Sequence, residues 1–197
     1  MSMPSYQAIV LAGGAATRFG SDKLAARVEG IPLLDRVLEA VATAQRVVVV
    51  GPRRRTARPV IWTCEVPAGA GPAAGIAAGM QHVDAPWVVL LAGDLPFVGG
   101  GTVDRLLGAV ANGCGAVLVD GHGRRQLLSA AVSSAALRRR LATRPSWRDA
   151  AVHELLGALR LREVATSGSE ADDVDVPADL PRHHLPAPGA GVPGGVR

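Results

Sequence analysis

Short apolar runs alternate with helical stretches along most of this chain, and no other feature constrains its fold as tightly. The runs are Tyr6 to Ala12, Arg46 to Val50, Val60 to Cys64, Trp87 to Ala92, Gly115 to Val119 and Leu127 to Val132. They are continuous rather than alternating in polarity, as expected of strands covered by helices on both faces. Strands that alternate with helices predict parallel pairing through crossover connections, an α/β architecture. Proline punctuates the helices: Pro32 and Pro72 stand where a first helical turn tolerates a missing N–H, ahead of LLDRVLEAVATA and AAGIAAGMQ. Thr102 to Ala111 and Ser134 to Leu141 read as further helices, and a last one is expected from an N-cap near Ser146 through Leu156.

The 197 residues suit one domain, and a hydrophobic content of 48% is enough for a sizeable core. That domain is expected over residues 1–182. The Pro/Gly-rich stretch 183–197, HHLPAPGAGVPGGVR, lacks apolar periodicity and is expected to be a disordered tail. A net charge of +4 favours an anionic partner. With 3% aromatic residues the chain lacks the base-stacking surface of single-strand nucleic-acid binders, so a polyphosphate metabolite is expected rather than a nucleic acid. Cys64 and Cys114 stand far apart, with no CxxC pair and no His at ligand spacing, which indicates neither a zinc site nor a disulfide framework. The start MSMPSYQ has no basic n-region and no apolar run is long enough to span a bilayer, so a cytoplasmic protein with no membrane attachment is expected.

The chemistry concentrates in a few segments. The only lysine, Lys23, closes LAGGAATRFGSDK, directly after the first apolar run. Gly13 and Gly14 free the backbone to turn sharply and aim N–H groups at an anion, and Arg18 and Lys23 add a planar fork and a point charge. The Walker pattern fails, because no glycine precedes Lys23 and Leu24 follows it. Gly69, Gly71 and Ala74 match a loose dinucleotide pattern, but Pro72 interrupts it, leaving a glycine loop that enters a helix. In LLAGDLPFV, Asp94 lies just past the carboxyl end of a strand, where open α/β sheets place ligands. A hard carboxylate beside a phosphate cradle points to Mg2+. An acidic cluster, Asp172, Asp173 and Asp175, precedes Pro177; one member is a candidate second metal ligand, and a solvated acidic turn is the alternative.

Four ordered motifs, LAGGAATRFGSDK, GPAAG, LAGDLPF and DVDVPADL, resemble the nucleotidyltransferases related to molybdenum cofactor guanylyltransferase, over about Tyr6 to Leu180. The resemblance implies a single Rossmann-like three-layer domain, with a mostly parallel sheet and helices on both faces, that binds GTP with Mg2+. It implies that Leu11, Ala12, Gly13 and Gly14 line the nucleotide, that Arg18 and Lys23 hold its phosphates, and that Asp94 is the principal metal ligand. Glu65 takes an acidic position near the guanine or ribose, Gly75 a backbone approach to the base, and Asp175 the place of a second metal ligand where the family often has Asn. In DGHGRRQLLSAAV, Arg124, Arg125 and Gln126 match the region facing the second substrate, and read equally as a basic hairpin turn in water. The Arg53–Arg55 and Arg138–Arg140 runs read as solvated faces, with a place at the border of the crevice as the alternative for the first, which follows a strand's carboxyl end.

The implied reaction is transfer of GMP from GTP to the phosphate of molybdopterin, or of its molybdenum-loaded form, with release of pyrophosphate. Lys23, Arg18 and Asp94 are the catalytic candidates, and molybdoenzyme apo-proteins and other cofactor-biosynthesis proteins are candidate partners. No protein nucleophile is required, in keeping with the lack of a Ser/His/Asp or Cys/His constellation. Two other kinds of protein fit the same motifs. One is a cytidylyltransferase, or a transferase acting on another metabolite phosphate; the other is a non-catalytic module that binds and delivers nucleotide or cofactor. Asp94 and Lys23 argue against the module, because binding alone needs no metal at the α-phosphate.

Overall fold

A computed structural model of the chain describes residues 3–13, 23–110 and 113–170. The apolar runs form strands: β1 (Tyr6–Leu11), β4 (Val47–Val50), β5 (Ile61–Thr63), β6 (Trp87–Ala92), β7 (Gly115–Val119) and β8 (Arg125–Ser133). With β9 (Leu161–Ala165) they make one seven-stranded sheet in the order β5-β4-β1-β6-β8-β7-β9. A separate antiparallel pair, β2 (Arg27–Val28) and β3 (Ile31–Pro32), stands outside it.

Helices pack on both faces of the large sheet. Alternation along each strand sends Ala8 and Val10 to one face, against α1 (Leu33–Ala40) and α3 (Gly100–Gly108). Ile9, Val48 and Val50 face the other way, against α2 (Pro72–Met80), α4 (Ser134–Leu141) and α5 (Val152–Leu156). The result is the three-layer α/β domain with a mostly parallel sheet that the strand pattern and the resemblance predict. Among the described residues no helix is long and apolar enough to cross a membrane.

Four details differ from the sequence-based expectation. β8 runs antiparallel to both β6 and β7, because only the short turn Asp120 to Arg124 joins it to β7 and a parallel return would need a long crossover. β9 and the β2–β3 pair carry no apolar run: β9 buries Leu161 and exposes the charged Arg162 and Glu163 at the edge of the sheet. The last helix starts at Val152 rather than near Ser146. Asp149 takes a left-handed conformation (φ 57) that ends any helix before it, and Glu154 accepts the Ala151 N–H at 3.0 Å to begin a new one. The Arg138–Arg140 run is only partly solvated: Arg138 donates to the Val83 carbonyl, and Arg140 donates to the Leu155 carbonyl while lying 5.0 Å from the Trp147 ring centre.

β1 occupies the middle of the sheet, parallel to both β4 and β6. The crevice outside the carboxyl ends of these three strands is therefore the switch point at which such sheets bind ligands.

Candidate active site

Lys23 and Asp94 meet at that edge. Lys23 opens a single 3-10 turn, Lys23–Ala25, and Asp94 stands in the loop that leaves β6. The ammonium donates to Oδ2 of Asp94 at 2.9 Å, with the two side chains 15% and 25% exposed, a charge-assisted bond partly shielded from water. Gly93 makes the approach possible. Its N–H donates to the Leu11 carbonyl at 2.9 Å, and a Cβ there would stand 3.3 Å from a Leu24 methyl. A side chain at this position would press directly on the turn that carries Lys23.

The end of β1 is held from beneath. Ala12 donates its N–H to the Val50 carbonyl at 2.8 Å and accepts Arg54 on its own carbonyl at 3.0 Å. Gly51 lies so close that a Cβ would stand 2.7 Å from the Ala12 carbonyl carbon and oxygen, and its φ of 139 favours glycine in any case. On the opposite side, Glu65 accepts the Gly69 N–H on Oε1 at 3.0 Å, which leaves Oε2 3.8 Å from where a Gly75 Cβ would stand. Gly71, at φ 93, then turns the chain into α2 at Pro72.

Between these elements lies a cavity of about 360 Å³, within the range of small-molecule sites. Leu11 and Gly13 come from the end of β1, Val50 from β4, Glu65, Gly69 and Gly71 from the loop before α2, and Pro72 and Gly75 from α2 itself. Ala92, Asp94 and Leu128 close the far side. Leu128 reaches it through a bulge: the β8 register jumps from Ala130 opposite Val117 to Gln126 opposite Leu118, so residues 127–129 have no partner on β7.

Of the residues singled out in the sequence, Leu11, Gly13, Glu65, Gly75 and Asp94 share this cavity, with Lys23 on Asp94. Ala12 is buried beneath the loop and its methyl does not line the space. Gly14, Arg18, Asp173 and Asp175 lie outside the described residues, as does the expected tail 183–197. Arg124 ends the β7–β8 turn and Arg125 and Gln126 begin β8, at the same sheet edge but not in the cavity lining. Arg124 and Gln126 both donate to Oδ2 of Asp120, at 3.1 and 2.9 Å, and Arg125 pairs with Glu163 at 2.9 Å. The Arg124 backbone N–H, with that of His122, holds the Asp120 carboxyl below its ordinary value. Of the Arg53–Arg55 run, Arg54 turns toward the end of β1, and a run of three arginines carries no sign of which member does so.

Among the described residues no cluster of three or more His, Cys, Asp or Glu side chains forms a ready metal cage. Asp94 is the carboxylate at the cavity wall that could take part in holding a metal.

An open α/β sheet whose ligand crevice sits at this edge, with a cation paired to a carboxylate there, is the framework of a nucleotidyltransferase. The chain belongs to the family of MobA-like NTP transferase domains, whose family model matches residues 8–166. A probable molybdenum cofactor guanylyltransferase of Bacillus cereus is 34% identical over 137 residues, covering 66% of this chain and 68% of that protein. A nucleotidyl transferase from Methanothermobacter thermautotroptrophicus superposes with a TM-score of 0.71 at 20% identity, over 89% of this chain and 94% of the other. The molybdopterin-guanine dinucleotide biosynthesis protein A of Archaeoglobus fulgidus does so with a TM-score of 0.64 at 22% identity, over 88% and 94%. These two structures share the fold; the family assignment rests on the sequence match.

Proposed function

We propose that this nucleotidyltransferase joins the GMP moiety of GTP to the terminal phosphate of molybdopterin, with Mg2+ held at Asp94, as a cytoplasmic step of molybdenum cofactor biosynthesis. The observation that carries the reading is the Lys23–Asp94 pair at the rim of a cavity whose other wall holds the Glu65 carboxylate. The name of the Bacillus cereus relative supports the choice of nucleotide and acceptor.

The base would lie between Leu11, Val50 and Gly75, with the Glu65 carboxylate at its edge. An ionised carboxylate is acceptor-only. It therefore matches guanine, whose N1–H and N2 amino group are two adjacent donors, better than cytosine, which sets one donor, N4, beside the acceptor N3. A phosphate oxygen of the acceptor attacks the α-phosphorus in line, the new O–P bond forms as the bond to the β-phosphate oxygen breaks, and pyrophosphate leaves with the electron pair. The metal, when bound, supplies charge neutralisation at the phosphoryl oxygens. Lys23 stabilises charge on the non-bridging oxygens, and the backbone amides at the end of β1 orient the nucleotide.

Pyrophosphate release tests this directly, with GTP, CTP or ATP, each with and without molybdopterin and Mg2+. Release is expected with GTP and molybdopterin together. Asp94→Ala should lower it by about three orders of magnitude, the scale of losing several kcal/mol of charge stabilisation, while the fold is retained. Equal release from CTP, or an Asp94→Ala variant that keeps most of its activity, would overturn the reading.

A further inference from the structure

The Lys23 segment is attached to the rest of the molecule in an unusual way. Its 3-10 turn leads into the β2–β3 pair, and that pair shares no hydrogen-bonded ladder with the seven-stranded sheet that carries Asp94. The distance from Lys23 to Asp94 is therefore not fixed by a shared strand register. Leu24 packs beneath Gly93, and the Leu33 N–H donates to the Ala26 carbonyl at 2.9 Å.

Arg36, on α1, adds a link that reaches both segments. Its Nε donates to the Pro96 carbonyl at 3.1 Å, in the loop that begins with Asp94. Its Nη1 donates to the Val28 carbonyl at 3.4 Å, in the hairpin that follows Lys23. Glu29 accepts from Nη1 and Nη2 at 3.1 and 2.7 Å on the exposed side of the guanidinium. The Arg36 side chain is 18% exposed and that of Glu29 66%, so the contacts to the two backbone carbonyls form the shielded half of the cluster. A planar fork makes this bridge where a single ammonium would satisfy one carbonyl at a time.

We propose that Arg36 is a positioning residue for the transfer reaction, acting through the Pro96 and Val28 carbonyls to hold the Asp94 loop and the Lys23 turn at their working separation. The inference rests on the functional reading above. A residue of this kind is expected to matter through metal affinity and turnover more than through stability, because a displacement of about 1 Å costs roughly a hundredfold in rate and an outer partner of a metal ligand typically 10- to 100-fold in affinity.

The test compares the parent with Arg36→Met, which keeps an apolar stem but no donors, and with Glu29→Gln, which removes the exposed charge and leaves both carbonyl contacts. Three quantities are read: Tm, Mn2+ affinity in the presence of GTP by electron paramagnetic resonance without acceptor, and kcat and KM for GTP. Arg36→Met should weaken Mn2+ binding and lower kcat, each by about 10-fold or more, with KM for GTP within about threefold and Tm little changed. Glu29→Gln should match the parent. Parental Mn2+ affinity and kcat in Arg36→Met would overturn the proposal, as would equal losses of Tm and kcat in both variants, the pattern of a plain hairpin staple. If Arg36→Met does not fold, Arg36→Lys is judged by the same criteria. A parent that binds Mn2+ with no dependence on Asp94 would overturn the functional reading itself, and this inference with it.

Discussion

Lys23 reaches Asp94 across 71 positions of sequence and brings the one ammonium of the chain onto the carboxylate proposed to hold the metal. An ammonium is compact and can turn from that carboxylate toward phosphate oxygens, whereas a guanidinium would be held flat against the two Asp94 oxygens as a bidentate pair. Lys23→Arg is therefore expected to lower kcat by about 10- to 100-fold at equal charge, with Tm close to that of the parent. Steady-state pyrophosphate release checks this, and near-normal turnover would remove the special role given to the ammonium. The sequence pointed to both residues because Lys23, the only lysine, closes the glycine-containing segment after the first apolar run, and Asp94 follows Gly93 at the end of another. It did not reveal that they touch, since a contact across so many residues depends on β1 and β6 lying side by side. Arg36 and Arg54 were illegible for the same reason: their partners are backbone carbonyls on other elements, which leave no trace in residue type.

At the scale of elements, the strands that were legible carry continuous apolar runs, whether in the interior or, like β5 with Ile61 and Trp62, at an edge. Those that were not, β2, β3 and β9, lie at an edge or outside the main sheet and keep charged residues in or between them. The end of β1 depends on a contact of this hidden sort, the seat of Ala12 and Gly13 on Gly51. Gly51→Ala would drive a Cβ to 2.7 Å from the Ala12 carbonyl atoms and 2.8 Å from the Gly13 nitrogen, and backbone cannot yield as a flexible side chain can. A loss of roughly 1–3 kcal/mol in stability is expected, together with a rise in KM for GTP as Ala12 and Gly13 shift. Gly79→Ala separates the two effects. Its Cβ would press on the Ile9 side chain at 2.9 Å, within the core between α2 and β1, so it should lower Tm without moving KM. A rise in KM confined to Gly51→Ala supports the seat, and equal KM changes in both variants would remove it.

For the molecule as a whole, stability rests on two cores, one on each side of a single sheet, pinned at their margins by ionisable groups. Three carboxyls in different places have folded pKa values below their ordinary ones. Asp84 is lowered first by the Gln7 side-chain amide, Asp120 by the Arg124 backbone N–H, and Glu154 by the Ala151 N–H. A carboxyl whose pKa falls on folding adds stability above its unfolded value of about 4, and that stability is lost as pH drops through the unfolded and then the folded value. Tyr6 behaves in the opposite sense. Burial raises its phenol above the ordinary value even though its oxygen shares a hydrogen bond with Thr43, so its contribution is complete below about pH 10 and is lost as pH rises through the folded value. Tm should accordingly be flat between about pH 5 and 9 and fall on either side of that window. Asp84→Asn and Asp120→Asn should each reduce the acid slope, and their effects should add because the two residues share no partner. Tyr6→Phe should flatten the alkaline limb alone. Calorimetry from pH 3 to 11 on the parent and these variants decides the matter: a parent Tm that rises as pH falls from 5 to 3, or an acid slope unchanged by either Asp→Asn substitution, would show that these carboxyls do not control the acid limit.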